Sequence, residues 1–491
     1  MKINILIAGH AGQGPNALSK VVGSMLVKWG YYVFISREYG SVIRGGQNFN
    51  TITISDEPVM SNESKTDIFV VLESEFKDIK KCGIVLIDEK KSNMYFAGRI
   101  IKLFGIDFSI LEEELKNIKN LEENIISAKK GYDEEKIRIP LKKLKNNLSA
   151  MDGSTAIAKG AIKSGVDVYF AYPMTPSTGV LGELAQRQTE NNHLVLELEG
   201  EIAVINAAIG SAITGAKSMV GTSGGGFDLM TESLSLAGQA EVPVVIYLAQ
   251  RPGPATGIAT GTGQADLNIA LNAGHGEFSR LVVAPGDTTE CQELTSQAFY
   301  FSQKYKIPAI IISDKHLAES IYSFSEKPIM TKSQKPTNIG RYNSYEHDES
   351  GAATEDVELI VKNVQERLKK HAAIGKDSLN FETVKVYGDK KSKNIVLFWG
   401  STKGAVIDAS KNINAKLLQP LYLEPFPKSL SNKIKKAKKV IIVENNSTSQ
   451  LSELIAKKTG FIVSDKNKIL KYDGRPFYSD ELQAELRKRL K

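Results

Sequence analysis

Apolar runs of strand length, each closed by a turn and followed by a helical stretch, recur along the whole sequence and restrict what it can fold into. The first, Ile3-Asn4-Ile5-Leu6-Ile7-Ala8-Gly9, passes through His10-Ala11-Gly12-Gln13-Gly14 into a helical pattern at about 16–28. Runs at 31–35, 52–54, 68–72 and 84–87 continue the series. A continuous apolar run reads as a strand covered on both faces, and strands alternating with helices predict a parallel α/β sheet. The rhythm returns at 166–172, 194–198, 218–222, 242–249, 280–283 and 309–313, and again at 395–399, 417–423 and 440–444. The expected organisation is an α/β unit over 1–145, a second over 150–325, a polar linker with one helix over 326–390, and a smaller α/β unit over 391–491. Asp152 is placed to cap the first helix of the second unit.

Length agrees: 491 residues, at roughly 100–200 per domain, give about three domains. Cys82 and Cys291 are the only cysteines. Two thiols fall short of the four that normally hold an iron–sulfur cluster, and of a Cys-rich zinc site or a disulfide framework. A redox metal therefore has to sit on another chain. No basic N-terminal stretch leads into an apolar segment, and no run of about 18 apolar residues occurs, so neither signal peptide nor membrane span is expected and the cytoplasm is the expected location. The formal charge of +7 comes from lysine clusters such as Lys433 to Lys439. They read as solvated faces and linkers; no aromatic or recognition-helix context points to nucleic acid. An acidic small protein or a phosphate-bearing cofactor fits the charge.

Gly12-Gln13-Gly14-Pro15-Asn16-Ala17 fits G-x-G-x-x-A after a strand and before a helix, with Glu38 near the position of a ribose-binding acid. Glycines there let the backbone approach a pyrophosphate, and free N–H groups at the helix start hold an anion. Pro15 removes one such donor. On residues alone the loop is a tight structural turn, a site for a phosphate-bearing ligand such as coenzyme A, or an NAD site. Arg44-Gly45-Gly46-Gln47 is a second flexible cationic loop.

The central unit holds three more specific clusters. Tyr172-Pro173-Met174-Thr175-Pro176-Ser177-Thr178 follows a strand, and its prolines stiffen a turn that projects Thr175 from the carboxyl edge of the sheet. Glu197, Glu199 and Glu201 alternate into a helix rich in Ala and Gly, where a carboxylate at the first turn is favoured by the dipole. Arg251-Pro252-Gly253-Pro254-Ala255-Thr256-Gly257 places one cation in a stiffened loop after a strand, suited to a carboxylate or phosphate.

Together these segments resemble the 2-oxoacid:ferredoxin oxidoreductases, specifically an alpha subunit with a gamma-type domain fused at its N-terminus. Tyr172 to Thr178 is similar to Y-P-I-T-P-S-T, and Arg251 to Gly257 to R-P-G-P-x-T-G. Asn272-Ala273-Gly274-His275-Gly276-Glu277-Phe278, Tyr472-Asp473-Gly474-Arg475-Pro476-Phe477 and Gly12-Gln13-Gly14 also look like family segments, in family order. The resemblance implies three doubly wound domains: a gamma-type domain, a thiamine-diphosphate pyrimidine-binding domain and a transketolase C-terminal-like domain. It implies decarboxylation of a 2-oxoacid such as pyruvate or 2-oxoglutarate on thiamine diphosphate, electron transfer to ferredoxin and acyl transfer to coenzyme A. By the same resemblance Glu201 activates the aminopyrimidine ring, with Glu199 as runner-up. Thr175 and Arg251 contact the substrate carboxylate, and Tyr172, Pro173, Gly12 and Gly14 line cofactor sites. The Mg²⁺ motif G-D-G is absent from the sequence, so Mg²⁺, the diphosphate half-site and the iron–sulfur cluster are expected on a beta subunit, in a heterodimer or a dimer of heterodimers.

Three departures stand out. Family members follow R-P-G-P-x-T-G with L-P-T, a basic residue and T-E-Q, whereas this chain has Gly261 and Gly263 at the basic and acidic positions. Gly225 stands where proline is common. The gamma-like domain is also short, which bears on its coenzyme A contacts. Two rival readings follow: a scaffold or regulatory paralogue that binds a beta subunit, and an NAD(P)-dependent oxidoreductase using the N-terminal loop.

Overall fold

The computed structural model describes residues 1–40, 46–88, 91–116, 118–335 and 343–490; Arg44 and Gly45 of the cationic loop lie outside them. The apolar runs form three sheets of an α/β protein. Strands β1 (Lys2–His10), β2 (Tyr32–Tyr39), β3 (Gln47–Ser55), β4 (Ile68–Val71), β5 (Ile84–Ile87) and β6 (Ser149–Asp152) belong to the first. The second takes β7 (Val168–Ala171), β8 (Leu194–Glu197), β9 (Ser218–Thr222), β10 (Val244–Gln250), β11 (Leu281–Val283) and β12 (Pro308–Asp314). β13 (Ile321–Phe324) returns to the first sheet. β14 (Val384–Gly388), β15 (Asn394–Phe398) and β16 (Lys416–Pro420) enter the third, β17 (Tyr422–Glu424) joins the second, and β18 (Lys439–Glu444) and β19 (Lys468–Leu470) complete the third. The chain divides into two compact units. One is Met1–Met151 with Ser320–Glu326 and Tyr478–Gln483; the other holds the remaining residues and both later sheets.

In the first unit the strand order is β5-β4-β1-β3-β2-β13-β6. The expected parallel arrangement holds for β1, β4 and β5. β3 instead runs antiparallel to both β1 and β2. The cause is the connection: only residues 40–46 separate β2 from β3, too few for the crossover of a dozen or more residues that a parallel pair needs.

The second sheet has the order β17-β11-β12-β10-β9-β7-β8, with β7 to β12 parallel and β17 antiparallel at the edge. Val220, Ile246, Leu248, Ile310 and Ile312 are fully buried, as expected of strands covered on both faces. Parallel strands deliver their carboxyl ends to one edge, where open α/β sheets bind ligands. The third sheet runs β14-β16-β15-β18-β19; β14 lies inside the stretch expected as linker, and the helix of that stretch spans Val357–Asp377.

A buried ion cluster ties the second sheet's helix Thr288–Tyr305 to the third sheet. Glu290, fully buried, accepts from Lys403 Nζ (2.5 Å), Lys385 Nζ (3.1 Å), Gln419 Nε2 (2.7 Å) and the Gly286 N–H (2.7 Å), and Lys403 also pairs with Asp287. Burial pushes the Glu290 carboxyl up, but Lys403 and Lys385 outweigh it and hold it well below the usual carboxylate range. Among the described residues no helix is long and apolar enough to cross a membrane.

Candidate active site

The carboxyl ends of β7, β9 and β10 bring together Thr175, the start of the helix Gly224–Leu229 and Arg251. After β7 the chain turns at Thr175–Pro176, a cis peptide, and Ser177 Oγ closes the turn on the Met174 carbonyl at 2.7 Å. Thr175 is half-buried, Pro173 is exposed and Tyr172 is 39% exposed. Arg251 follows β10, and its Nη1 donates to the Thr175 carbonyl at 2.9 Å. Two motifs far apart in sequence thus meet through one hydrogen bond. Burial lowers the pKa of the Arg251 guanidinium from its ordinary value, and Asp266 opposes that shift.

β8 ends at Glu197 and the next helix begins at Glu201, with Gly200 as its cap. Spacing alone left Glu199 and Glu201 as alternatives. In the fold Glu197 and Glu199 are exposed, whereas Glu201 is only 6% exposed. Its Oε1 is buried without a hydrogen-bond partner, a costly state for a carboxylate. Gly226, in the first turn of the helix Gly224–Leu229 after β9, lies against it: a Cβ there would stand 2.7 Å from Oε1 and 2.8 Å from Cγ. Only a glycine leaves room for the Glu201 carboxyl in that place. Gly225, at the family's proline position, faces open space.

Sequence reasoning missed Asp266, a lone acid in a loop of small residues with no spacing signal. Its N–H donates to Gln250 Oε1 at 2.9 Å, and its Oδ2 is buried without a partner. The carboxyl lies over Gly224, whose Cβ would fall 2.8 Å from Cγ. Burial pushes Asp266 up to about 6, Arg251 pulls it down and Asp228 pushes it further up. Ser223, fully buried beside Gly224, also has an unpartnered Oγ.

The loop between Arg251 and Asp266 is fastened to the third-sheet region. Thr262 N–H donates to the Gly474 carbonyl (2.9 Å), Gln264 Nε2 to the Trp399 carbonyl (2.8 Å) and Asn445 N–H to Gln264 Oε1 (2.9 Å). A Cβ on Gly261 would stand 3.0 Å from Ile258 and 3.1 Å from the Gly474 carbonyl, so the basic residue of relatives needs a shift here. At Gly263 the nearest atom is 3.4 Å away, an ordinary contact. Phe278 of the Asn272–Phe278 segment packs on Gly238, a core role.

In the first unit, Gly12 (φ 96°) and Gly14 (φ 79°) form the turn from β1 into the helix Pro15–Lys28, which has no side-chain cap. The surroundings of Gly12 are open, while Gly14 lies against Asn93. Gln13 donates to Glu73, His10 pairs with Glu75 at 2.8 Å, and the Tyr478 hydroxyl donates to Glu38 at 3.2 Å. Among the described residues no group of three or more His, Cys, Asp and Glu is arranged to hold a metal.

Residues 4–143 match the family described as pyruvate ferredoxin/flavodoxin oxidoreductase. Residues 159–370 match pyruvate flavodoxin/ferredoxin oxidoreductase, thiamine diP-bdg. The 2-oxoacid:ferredoxin oxidoreductase subunit alpha of Sulfolobus sp is 30% identical, over 100% of this chain and 97% of the relative. The 2-oxoacid:ferredoxin oxidoreductase 1, subunit alpha, of Sulfurisphaera tokodaii is 30% identical over 100% and 98%. Both alignments extend over 617 positions against 491 residues here, so these relatives carry segments this chain lacks. The fold matches the Magnetococcus marinus 2-oxoglutarate:ferredoxin oxidoreductase, solved with 2-oxoglutarate, coenzyme A and succinyl-CoA bound, at TM-score 0.87 and 24% identity over the full length of both chains. With this edge geometry and near-complete coverage of relatives at 30% identity, the chain belongs to the family of 2-oxoacid:ferredoxin oxidoreductase alpha subunits.

Proposed function

We propose that this subunit takes part in the coenzyme-A-dependent oxidative decarboxylation of a 2-oxoacid, giving an acyl-CoA, CO₂ and reduced ferredoxin, and that its second unit is the pyrimidine-binding half of a thiamine-diphosphate site. One observation carries the reading: the buried, unpartnered Oε1 of Glu201, packed against the backbone of Gly226. A carboxylate oxygen so placed is completed by a ligand N–H donor, as an aminopyrimidine-type ring offers, so the residues fit the group. When bound, thiamine diphosphate supplies a nucleophilic carbon and an electron sink.

The chain's own residues do the rest. Glu201 would accept that ligand N–H at Oε1, and Gly226, having no Cβ, gives its carboxyl room to lie there. Tyr172 and Pro173, exposed at the end of β7, are assigned to the cofactor wall. Thr175 fixes Arg251 through its carbonyl, which leaves the other guanidinium donors for a substrate carboxylate in bidentate geometry. Gly12 and Gly14 are assigned to coenzyme A, at the uncapped helix start in the first unit.

Mg²⁺, the diphosphate contacts and the iron–sulfur cluster are assigned to a beta subunit. Tyr172, Leu194, Leu196, Ile202 and Leu229 support that assignment: large apolar side chains between 39% and 59% exposed, along β7, edge strand β8 and the helices starting at Glu201 and Gly224. Such a group on a soluble surface marks an interface. The test is co-expression with the partner chain, then 2-oxoacid- and coenzyme-A-dependent reduction of a viologen dye with pyruvate, 2-oxoglutarate and branched-chain 2-oxoacids. Reduction with one of them is expected. A complex that assembles yet reduces no dye with any of them refutes the reading and favours the scaffold paralogue.

A further inference from the structure

Arg251 and Asp266 interact electrostatically at the proposed carboxylate site, and neither has all of its polar atoms engaged. Arg251 is held from behind by the Thr175 carbonyl. Asp266 is anchored through its backbone to Gln250, while its Oδ2 is buried with no donor. Ser223 Oγ, on the residue next to Gly224, is a second buried polar atom without a partner. The carboxyl has room there only because residue 224 is glycine. Two such atoms, on Asp266 and Ser223, flank Gly224 at the ligand edge.

We propose that Asp266 is a positioning residue that sets the charge available on Arg251, so that a 2-oxoacid carboxylate binds with uptake of one proton by the Asp266 carboxyl. The proposal rests on Arg251 as the carboxylate anchor. The physical reason is like-charge repulsion: an incoming carboxylate beside Arg251 meets a second carboxylate in a poorly solvated site, and the arrangement is relieved when one of the two is protonated. The 2-oxoacid is the stronger acid and stays ionised, so the proton from solvent goes to Asp266. The charged groups facing Asp266 are Arg251 after β10 and Asp228 in the helix Gly224–Leu229. Asp228 pushes in the same direction as the ligand, and the resting carboxyl already titrates near 6. Binding near neutral pH therefore changes its protonation.

The experiment is calorimetric titration of pyruvate and of 2-oxoglutarate into the assembled complex, with thiamine diphosphate and coenzyme A omitted so that no turnover occurs. Two buffers of different ionisation enthalpy at pH 7.5 count the protons taken up. Wild type is expected to take up close to one proton per ligand, and its affinity to tighten about tenfold between pH 7.5 and pH 5.5. Asp266→Asn should bind with no proton uptake and with affinity about unchanged across that range. Arg251→Lys should bind more weakly at both pH values. Equal proton uptake in wild type and Asp266→Asn overturns the role of Asp266 and leaves the Arg251 reading standing. No binding of either 2-oxoacid by wild type, or unchanged affinity in Arg251→Lys, overturns the anchor reading itself. Should Asp266→Asn not fold, Asp266→Ser removes the same carboxylate in a smaller volume and is read the same way.

Discussion

Two buried carboxylates of the second unit, Glu290 and Glu201, sit in opposite hydrogen-bonding states. Both oxygens of Glu290 are taken, by two lysines, an amide side chain and a backbone N–H. Glu201 keeps Oε1 without a partner, and Asp266 and Ser223 at the same sheet edge each keep one bare oxygen. Buried polar groups are normally satisfied, and a fully connected network fixes one structure. The Glu290 cluster follows that rule and joins two sheets. The Glu201 edge breaks it in three places along one stretch of strand ends. The grouping of three such atoms at one sheet edge sets it apart from the isolated unpartnered groups of the core, such as Tyr169 and Gln303.

The largest effect should come from the open cluster. Glu201→Gln keeps the volume of the side chain and removes its charge. We expect turnover of the assembled enzyme to fall by about 10³-fold with assembly and melting temperature unchanged. Wild-type-like rates would remove Glu201 from the site.

Glu290→Gln should do the reverse, sparing chemistry where the protein survives and costing stability. Lys385 would lose its carboxylate partner and buried Lys403 would keep Asp287 alone, a loss of about 3–5 kcal/mol read from denaturant unfolding at pH 7. The sign of its pH dependence is fixed by the shift. A carboxyl held below its ordinary value stabilises above that value and loses the contribution as pH falls through the folded one. The gap between wild type and variant should therefore close as pH drops below about 4.5.

Gly226→Ala tests whether the place of the bare oxygen matters by displacing it. The added methyl meets Glu201 and Thr222, and displacement of the carboxylate should lower turnover by about a hundredfold with folding retained. An unaffected rate would show that Oε1 need not be reached.

The smallest effect concerns stability at the open edge. Asp266 is held above its ordinary value by burial, so its ionised form is a liability that grows as pH rises from about 3.8 to about 6. Asp266→Asn should stabilise the chain by on the order of 2 kcal/mol at pH 7.5 and by little at pH 4. A destabilised variant at pH 7.5 would place Asp266 with Glu290, among the structural groups.

Much of this was legible in the residues. The alternation of apolar runs with helical stretches specifies α/β sheets because strands buried on both faces need covering helices. The turn at Thr175 and the loop at Arg251 were visible as proline-stiffened segments after strands. Their meeting was not, since it depends on β7 and β10 delivering them to one edge, where a single hydrogen bond joins them. The antiparallel β3 followed from a connection too short to cross over, a length the sequence shows once the neighbouring strands are known.

What the sequence by itself determined is the class of fold, the family motifs and the lack of enough cysteine for a cluster, because these depend on local periodicity, residue type and count. Tertiary structure decided which of three alternating glutamates is buried, that Gly226 makes room for its carboxyl, and that Asp266 and Arg251 act on each other. It also returned β13 and Tyr478–Gln483 to the first unit. Burial and closure of hydrogen bonds are set by atoms distant along the chain, so spacing cannot report them; only the packed fold places a donor, or its absence, next to a given oxygen.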